Sequence, residues 1–231
     1  MTAPAWQRIA EALRLDLLAA PPGAALPTEA ALARRFDVNR HTVRRALDDL
    51  ARAGLLRAEQ GRGRFTAEEV LPYAVTPRPR FSEWIRAHDK TPLGQILSLG
   101  QAPSGPATAQ ALRIEPGEPV LTLRRLGLAD GIPVALADHH FPTRIAGLAA
   151  ALRDCTSVTD ALARCGITDY LRRSTSVIAR LPEPVEARLL RLPPSLPLLV
   201  TESLNTDPAG TPVEHGIARY PSSRVSLVFD G

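Results

Sequence analysis

The sequence predicts an α+β chain of two domains, a small helical one followed by a larger strand-rich one. Three observations carry this. Residues 4–66 repeat apolar side chains at helical spacing and close on two short strand-like runs around glycines. Residues 67–80 hold Glu68, Glu69, Pro72, Pro77 and Pro79 with no apolar period, which marks an irregular linker. Beyond it, strand-like and short helical runs mix to the end of the chain. The expected division is therefore 1–66, a linker at 67–80, and 81–231.

The elements follow in order. Trp6, Ile9, Ala10, Leu13, Leu17 and Leu18 form the apolar face of a first helix, stopped by Pro21-Pro22-Gly23. Thr28 caps a second helix with Glu29 in its first turn and Leu32 and Phe36 inward. After a turn at Asp37-Val38, Asn39 caps a third, and Val38 and Val43 have the spacing of a hydrophobic staple. Val43, Ala46, Leu47 and Leu50 make its apolar stripe, with His41, Arg45, Asp48 and Arg52 opposite and Arg40 and Arg44 on the flanks. Gly54 ends it. Residues 55–57 and 64–66 pair as a ribbon around Glu59-Gln60-Gly61-Arg62-Gly63.

In the second domain, Phe81–His88 reads as a short helix. Strands are expected at Ile96–Gly100, Pro119–Leu128, Val134–Phe141, Leu171–Leu181, Leu198–Asn205, Val213–Tyr220 and Arg224–Phe229. Helices are expected between them at Ala107–Leu112, Ile145–Leu152, Val158–Arg164 and Pro184–Leu190. Asp130-Gly131 between two strand-like runs is a hairpin signal.

Composition narrows the function classes. The chain has 231 residues, 45% of them hydrophobic, which is enough for a packed core and argues against disorder. Its longest apolar runs, such as Leu196–Val200, fall far short of a membrane span, and the start lacks a secretory pattern. Cys155 and Cys165 make no disulfide framework, so a reducing cytoplasm is the expected setting. The net charge is only +4, and all but one of the 28 cations, Lys90, are arginines. Placement makes that charge informative. Residues 26–65 hold nine arginines and five acids, which is the whole formal surplus.

Two short helices meeting at a tight turn, the second basic near its start, form a helix–turn–helix that can enter a DNA major groove. Arginine reads guanine bidentately and asparagine reads adenine. A basic helix alone is equally well explained as a solvated face. The string Leu26-Pro27-Thr28-Glu29, Leu32-Ala33, Phe36-Asp37-Val38-Asn39-Arg40-His41-Thr42-Val43-Arg44-Arg45-Ala46-Leu47, Leu50, Gly54-Leu55 and Gly61-Arg62-Gly63-Arg64-Phe65 resembles the winged helix–turn–helix of GntR-family bacterial regulators. The resemblance implies that Arg40, Thr42 and Arg44 act on double-stranded DNA, with Gly61 and Arg62 at the wing tip. Thr28, Arg34, Asn39, His41 and Arg45 complete the expected DNA-binding set. Members of the family often carry a basic residue after the Glu of the second helix. Here Ala30 stands there, so that contact is missing unless Arg34 or Arg35 replaces it.

The second domain resembles the UTRA effector domain, similar in fold to chorismate lyase. Glu115-Pro116-Gly117-Glu118-Pro119-Val120, Arg124-Arg125, Asp130-Gly131-Ile132-Pro133-Val134, His140-Phe141-Pro142, Pro212-Val213-Glu214 and Tyr220 carry that likeness. Phe81-Ser82-Glu83, Asp138-His139, Leu171-Arg172-Arg173-Ser174 and Ala179-Arg180 resemble the phosphonate-metabolism regulators within it. The resemblance implies a homodimeric cytoplasmic regulator, a repressor, that reads a palindromic operator and senses a small anionic effector, phosphonate or phosphate-like. No catalytic residue, metal, cofactor or membrane partner is expected.

Guanidinium forks suit such an anion, and Arg124, Arg125, Arg172 and Arg173 supply them. Neighbours on a strand face opposite ways, so one of each pair lines a pocket; the spacing does not say which. Ser157 opens a helix whose free N–H groups suit an anion. Asp138 and His139 join the expected effector set. Glu214 and Tyr220, six apart, share a strand face, as the UTRA pattern implies for ligand contacts. Sugar-phosphate sensors of this class commonly carry a second arginine two residues after the first; here that position is Gly127. His139 and His140 point apart and make no metal pair, and His215 is expected to be structural. Three alternatives stay open: a sugar-phosphate sensor, a sensor in histidine catabolism, and a lyase-like enzyme built on the second domain.

Overall fold

The computed structural model describes residues 4–20, 23–53, 55–59, 63–66, 70–78, 80–155 and 157–229. It separates into two compact units, Met1–Glu69 and Val70–Gly231. The first unit holds α1 (Ala5–Ala19), α2 (Glu29–Phe36), α3 (Arg40–Arg52), β1 (Leu56–Glu59) and β2 (Gly63–Thr66). Its helices start where the sequence placed them. Thr28 Oγ1 accepts the Ala31 N–H at 3.2 Å, and Asn39 Oδ1 accepts the Thr42 N–H at 2.8 Å. Each cap satisfies a backbone donor that the helix start leaves without a partner. Asp37 makes the turn in the left-handed region, at φ 51°. Ile9 and Leu13 of α1, Leu32 of α2 and Val43, Leu47 and Leu50 of α3 form one core, with Val38 packed against it. The ribbon pairs Leu56 with Thr66 and Arg57 with Phe65. Gly54, Gly61 and Arg62 lie outside the described residues.

The second unit contains β3 (Leu71–Ala74), α4 (Phe81–Arg86), β4 (Pro92–Pro103), α5 (Pro106–Leu112), β5 (Pro119–Ala129), β6 (Ile132–Pro142), α6 (Leu148–Asp154), α7 (Val158–Arg164), β7 (Leu171–Arg180), α8 (Pro184–Leu189), β8 (Leu198–Thr206), β9 (Pro212–Pro221) and β10 (Val225–Val228). Six strands form one antiparallel sheet in the order β4-β5-β6-β9-β8-β7. The β5–β6 hairpin turns on Asp130 (φ 49°) and Gly131 (φ 77°), the positive-φ pair that the tight turn requires.

One expectation is corrected here. Residues 71–74 are not irregular linker but strand β3, paired in parallel with β10. Leu71 and Tyr73 are buried with Trp84, Ile85 and Tyr220. The Trp84 Nε1–H donates to the Pro72 carbonyl at 2.9 Å. Four residues containing a proline are too short for an alternation signal, and the partner strand lies at the other end of the chain.

The central strands of the sheet are covered on both faces. Leu121, Leu123 and Phe141 on one face pack under α6 and α7. Toward the sheet's other end, Ala135 and Tyr220 on that same face pack with β3, α4 and β10. The opposite face carries Leu126, Leu136, Leu198 and Val200 against Leu190 and Leu192. A cavity remains on the first face.

Candidate functional site

Two places in the chain concentrate the expected functional residues. The first is the exposed side of α3. Arg40 and His41 are exposed, and among the described residues Arg40 makes no ion pair. Arg44 is tied down: its Nε and Nη2 donate to the Glu29 carboxylate at 3.2 and 2.8 Å. The Arg44 guanidinium holds the Glu29 carboxyl below its usual range. Arg64 of β2 donates to Asp48 at 2.7 Å and lies 3.6 Å from Glu29. Arg45, expected on the DNA side, instead covers the Trp6 ring of α1 at 4.5 Å. Arg35 pairs with Asp16 at 2.6 Å, whereas Arg34 is exposed with no ion pair among the described residues. Asn39 and Thr28 spend their side chains on caps, and the Thr42 hydroxyl donates to Asn39 at 3.0 Å. Glu29 and Asp48 as partners of these arginines were not legible: their contacts join residues 15 and 16 apart in different elements.

The second place is the cavity. Strand register fixes its floor. Arg125 pairs with Ala137, Gly127 with Ala135, His139 with Gly216, Ala218 with Thr201, and Glu214 with Asn205, so these side chains share one face. Most of the floor is small: Gly127, Ala135, Ala137, Gly216 and Ala218. That leaves depth between the sheet and its covering elements. Tyr73, the first residues of α4, Ser157–Asp160 and Tyr170 close the rim.

Of the expected effector residues, Arg125, His139, Ser157, Arg172, Glu214 and Tyr220 come together around this space. The adjacent pairs separate as strand geometry requires. Arg124 turns to the opposite face and grips Asp138 at 2.6 and 3.0 Å. Asp138 borders the cavity, but its carboxylate lies on the far face with Arg124 and Arg219. Arg173 falls at a β-bulge beside Arg172, is exposed, and is absent from the cavity lining. Ser157 accepts the Asp160 N–H at 3.0 Å, so its hydroxyl caps α7.

Electrostatics divide the cavity. Glu214 is buried. Burial pushes its carboxyl up, but the charge and hydrogen bond of His139, the hydrogen bond of Asn205 and the charge of Arg172 outweigh this and hold it below the usual range. His139 Nδ1 lies 2.5 Å from Glu214 Oε1, and Asn205 Nδ2 donates to Oε2 at 2.9 Å. Arg172 Nη1 donates to the Tyr73 hydroxyl at 3.2 Å, while its buried Nε has no hydrogen-bond partner. Burial lowers the Arg125 pKa and raises that of Tyr220. The Arg80 guanidinium covers the Tyr170 ring at 4.4 Å. An ionised acid and several guanidinium groups thus share a small, partly enclosed space, which suits a compact polar ligand with an anionic group. His140 and His215 lie on the opposite face. There His215 meets Thr108 at 3.2 Å and Glu202 at 2.8 Å, a structural role.

Sequence reasoning missed Tyr73, Arg80 and Tyr170 at the rim and the small-residue floor. The period-two Ala135/Ala137 and Gly216/Ala218 pairs are a signal that could have found the floor.

Residues 5–66 match the family of bacterial regulatory proteins designated gntR, and residues 87–226 match the UTRA domain. An HTH-type transcriptional regulator of Rhizobium meliloti (strain 1021) is 38% identical over 226 residues, covering 96% of this chain and 93% of its own length. The "probable transcriptional regulator PhnF" of Escherichia coli (strain K12) is 34% identical over 208 residues, covering 89% and 86%. The crystal structure of PhnF from Mycobacterium smegmatis shares the fold, with a TM-score of 0.65 over 96% of this chain and 98% of that one at 22% identity.

Proposed function

The chain belongs to the GntR family of bacterial transcriptional regulators and carries a UTRA domain, and from that premise we propose that it is a ligand-responsive repressor acting in the cytoplasm. In this reading a homodimer binds a palindromic operator through α3 of each copy. The effector is a small metabolite with a phosphonate or phosphate-like group. Ligand binding releases the operator because the ligand prefers the dimer geometry that misses the half-site spacing; without such a preference it would shift nothing.

The observation that carries this reading is the union, in one chain, of a cationic helix–turn–helix and a separate cavity edged by Arg125 and Arg172. Phe81 favours a phosphonate-like ligand over a sugar phosphate. Its ring fills the space above Gly127, 2.6 Å from where a Cβ would lie, so the second arginine common in sugar-phosphate sensors has no room here.

A thermal-shift panel of phosphonates, sugar phosphates and imidazole acids tests the effector class. A ligand at 100 times its Kd adds about 2.7 kcal/mol of stability, a clear rise in Tm. A positive ligand is then added to a gel shift on the protein's own upstream DNA. Release of a sequence-specific complex supports the proposal. No specific complex at moderate salt, or a response to imidazole acids alone, overturns it.

A further inference from the structure

We propose that Glu29 is a positioning residue for DNA specificity: its carboxylate presents the free edge of Arg44 to a guanine. The inference rests on the reading of α3 as a recognition helix.

The guanidinium of arginine carries five N–H donors in a plane. The Glu29 carboxylate takes the inner edge of Arg44, with Nε 3.2 Å from both oxygens and Nη2 2.8 Å from Oε2. Both Nη1 hydrogens and one Nη2 hydrogen are left, and that Nη2 hydrogen with the parallel Nη1 hydrogen beside it forms the outer fork that matches guanine O6 and N7. The Arg44 side chain is 54% exposed whereas Glu29 is 26% exposed, so the arginine stands outside its acid.

The acid is held in turn. Glu29 sits in the first turn of α2, where a negative charge is favoured, behind the Thr28 cap. Arg64 reaches from β2 to Asp48 at 2.7 Å and to Glu29 at 3.6 Å, with only 19% of its side chain exposed. Asp48 lies one helical turn beyond Arg44 on α3. Two acids and two arginines thereby link the start of α2, the exposed side of α3 and the ribbon. A free arginine at position 44 would sample many rotamers and pair with any nearby phosphate. A paired one is pre-ordered for a base, and the adjacent carboxylate repels phosphates.

The test uses the full-length protein and an operator obtained by selection from a random duplex pool. Glu29→Ala is expected to lower the ratio of operator to random-DNA affinity by roughly tenfold, within the range of one bidentate base contact. Most of the change should come from tighter random-DNA binding with a salt slope steeper by about one phosphate contact. Glu29→Gln, which keeps one acceptor, should fall between. Repeating the selection with Glu29→Ala should yield sites that have lost a guanine. In an Arg44→Ala background the Glu29 substitution should change the ratio no further. If Arg44→Ala lowers the ratio and both Glu29 variants leave it unchanged, the positioning role is overturned while the helix reading stands. If Arg44→Ala itself leaves operator affinity and base preference unchanged, the reading of Arg44 as a base contact is overturned as well.

Discussion

The Phe81 ring rests directly on the backbone of Gly127, and a Cβ at that glycine would lie 2.6 Å from Phe81 Cζ. The contact joins α4 to the C-terminal part of β5 and forms one wall of the cavity. Phe81 is not free to swing away. Its ring meets Trp84 edge-on at 5.8 Å, and the Trp84 ring lies tilted against Tyr73 at 4.8 Å.

Gly127→Ala should therefore destabilise the protein by about 1–3 kcal/mol, the usual cost of overpacking a tight contact. Denaturant unfolding checks this. The double variant Phe81→Leu/Gly127→Ala should lose less than the sum of the single variants, because the smaller side chain makes room for the methyl. Strict additivity would mean that the two residues do not press on each other.

The boundary of the second unit gives another test. Leu71 and Tyr73 of β3 are 2% and 5% exposed. Burying side chains of this size contributes about 1.5–3 kcal/mol each, against a total stability of about 5–15 kcal/mol for a domain. A fragment beginning at Val70 should fold cooperatively by near-UV circular dichroism and thermal melting. One beginning at Val75 or Phe81 should melt far lower or fail to fold, since β10 also loses its only strand partner among the described residues.

That boundary also shows what the sequence can and cannot reveal. The α3 stripe, its Asn39 cap and the Asp130-Gly131 hairpin are local signals, encoded within a few residues, and all were legible. The shared face of Glu214 and Tyr220 followed from strand alternation alone. β3 was not legible, because its only reason to be a strand is the backbone of β10, some 150 residues away by register. The ties of Arg44 to Glu29 and of Arg45 to Trp6 were hidden for the same reason: a basic residue on a helix does not announce which neighbour it will meet.

Acid should weaken the protein through Glu214. Its folded pKa lies below the ordinary value of 4.5, so the stabilisation it supplies is present above pH 4.5 and is lost as pH falls through the folded value. Glu214→Gln removes that titration. The stability gap between wild type and Glu214→Gln should be widest near neutral pH and should shrink below pH 4.5, as measured by urea unfolding at several pH values. A gap that widens on acidification would mean the carboxyl is held neutral, contrary to its pairing with His139 and Asn205.

The adjacent arginines provide the sharpest test of the cavity, because each pair differs mainly in which way it faces. Arg125 and Arg172 line the cavity; Arg124 and Arg173 do not. With a ligand identified by thermal shift, isothermal titration should find affinity reduced roughly ten- to hundredfold for Arg125→Ala and Arg172→Ala, the loss of a charge-assisted hydrogen bond of about 1.5–3 kcal/mol. Arg173→Ala should bind as wild type. Arg124→Ala should also keep its affinity and lose no more than about 1 kcal/mol of stability, since the Arg124 side chain is 44% exposed. Arg219 gives the contrast on that same face. It contacts Asp138 and Glu186 at 2.7 Å and is only 13% exposed, so Arg219→Ala takes one of two arginine partners from each carboxylate and should cost about 1.5–3 kcal/mol. Loss of ligand binding in Arg124→Ala with retention in Arg125→Ala would reverse the orientation of β5 that places the cavity on this face.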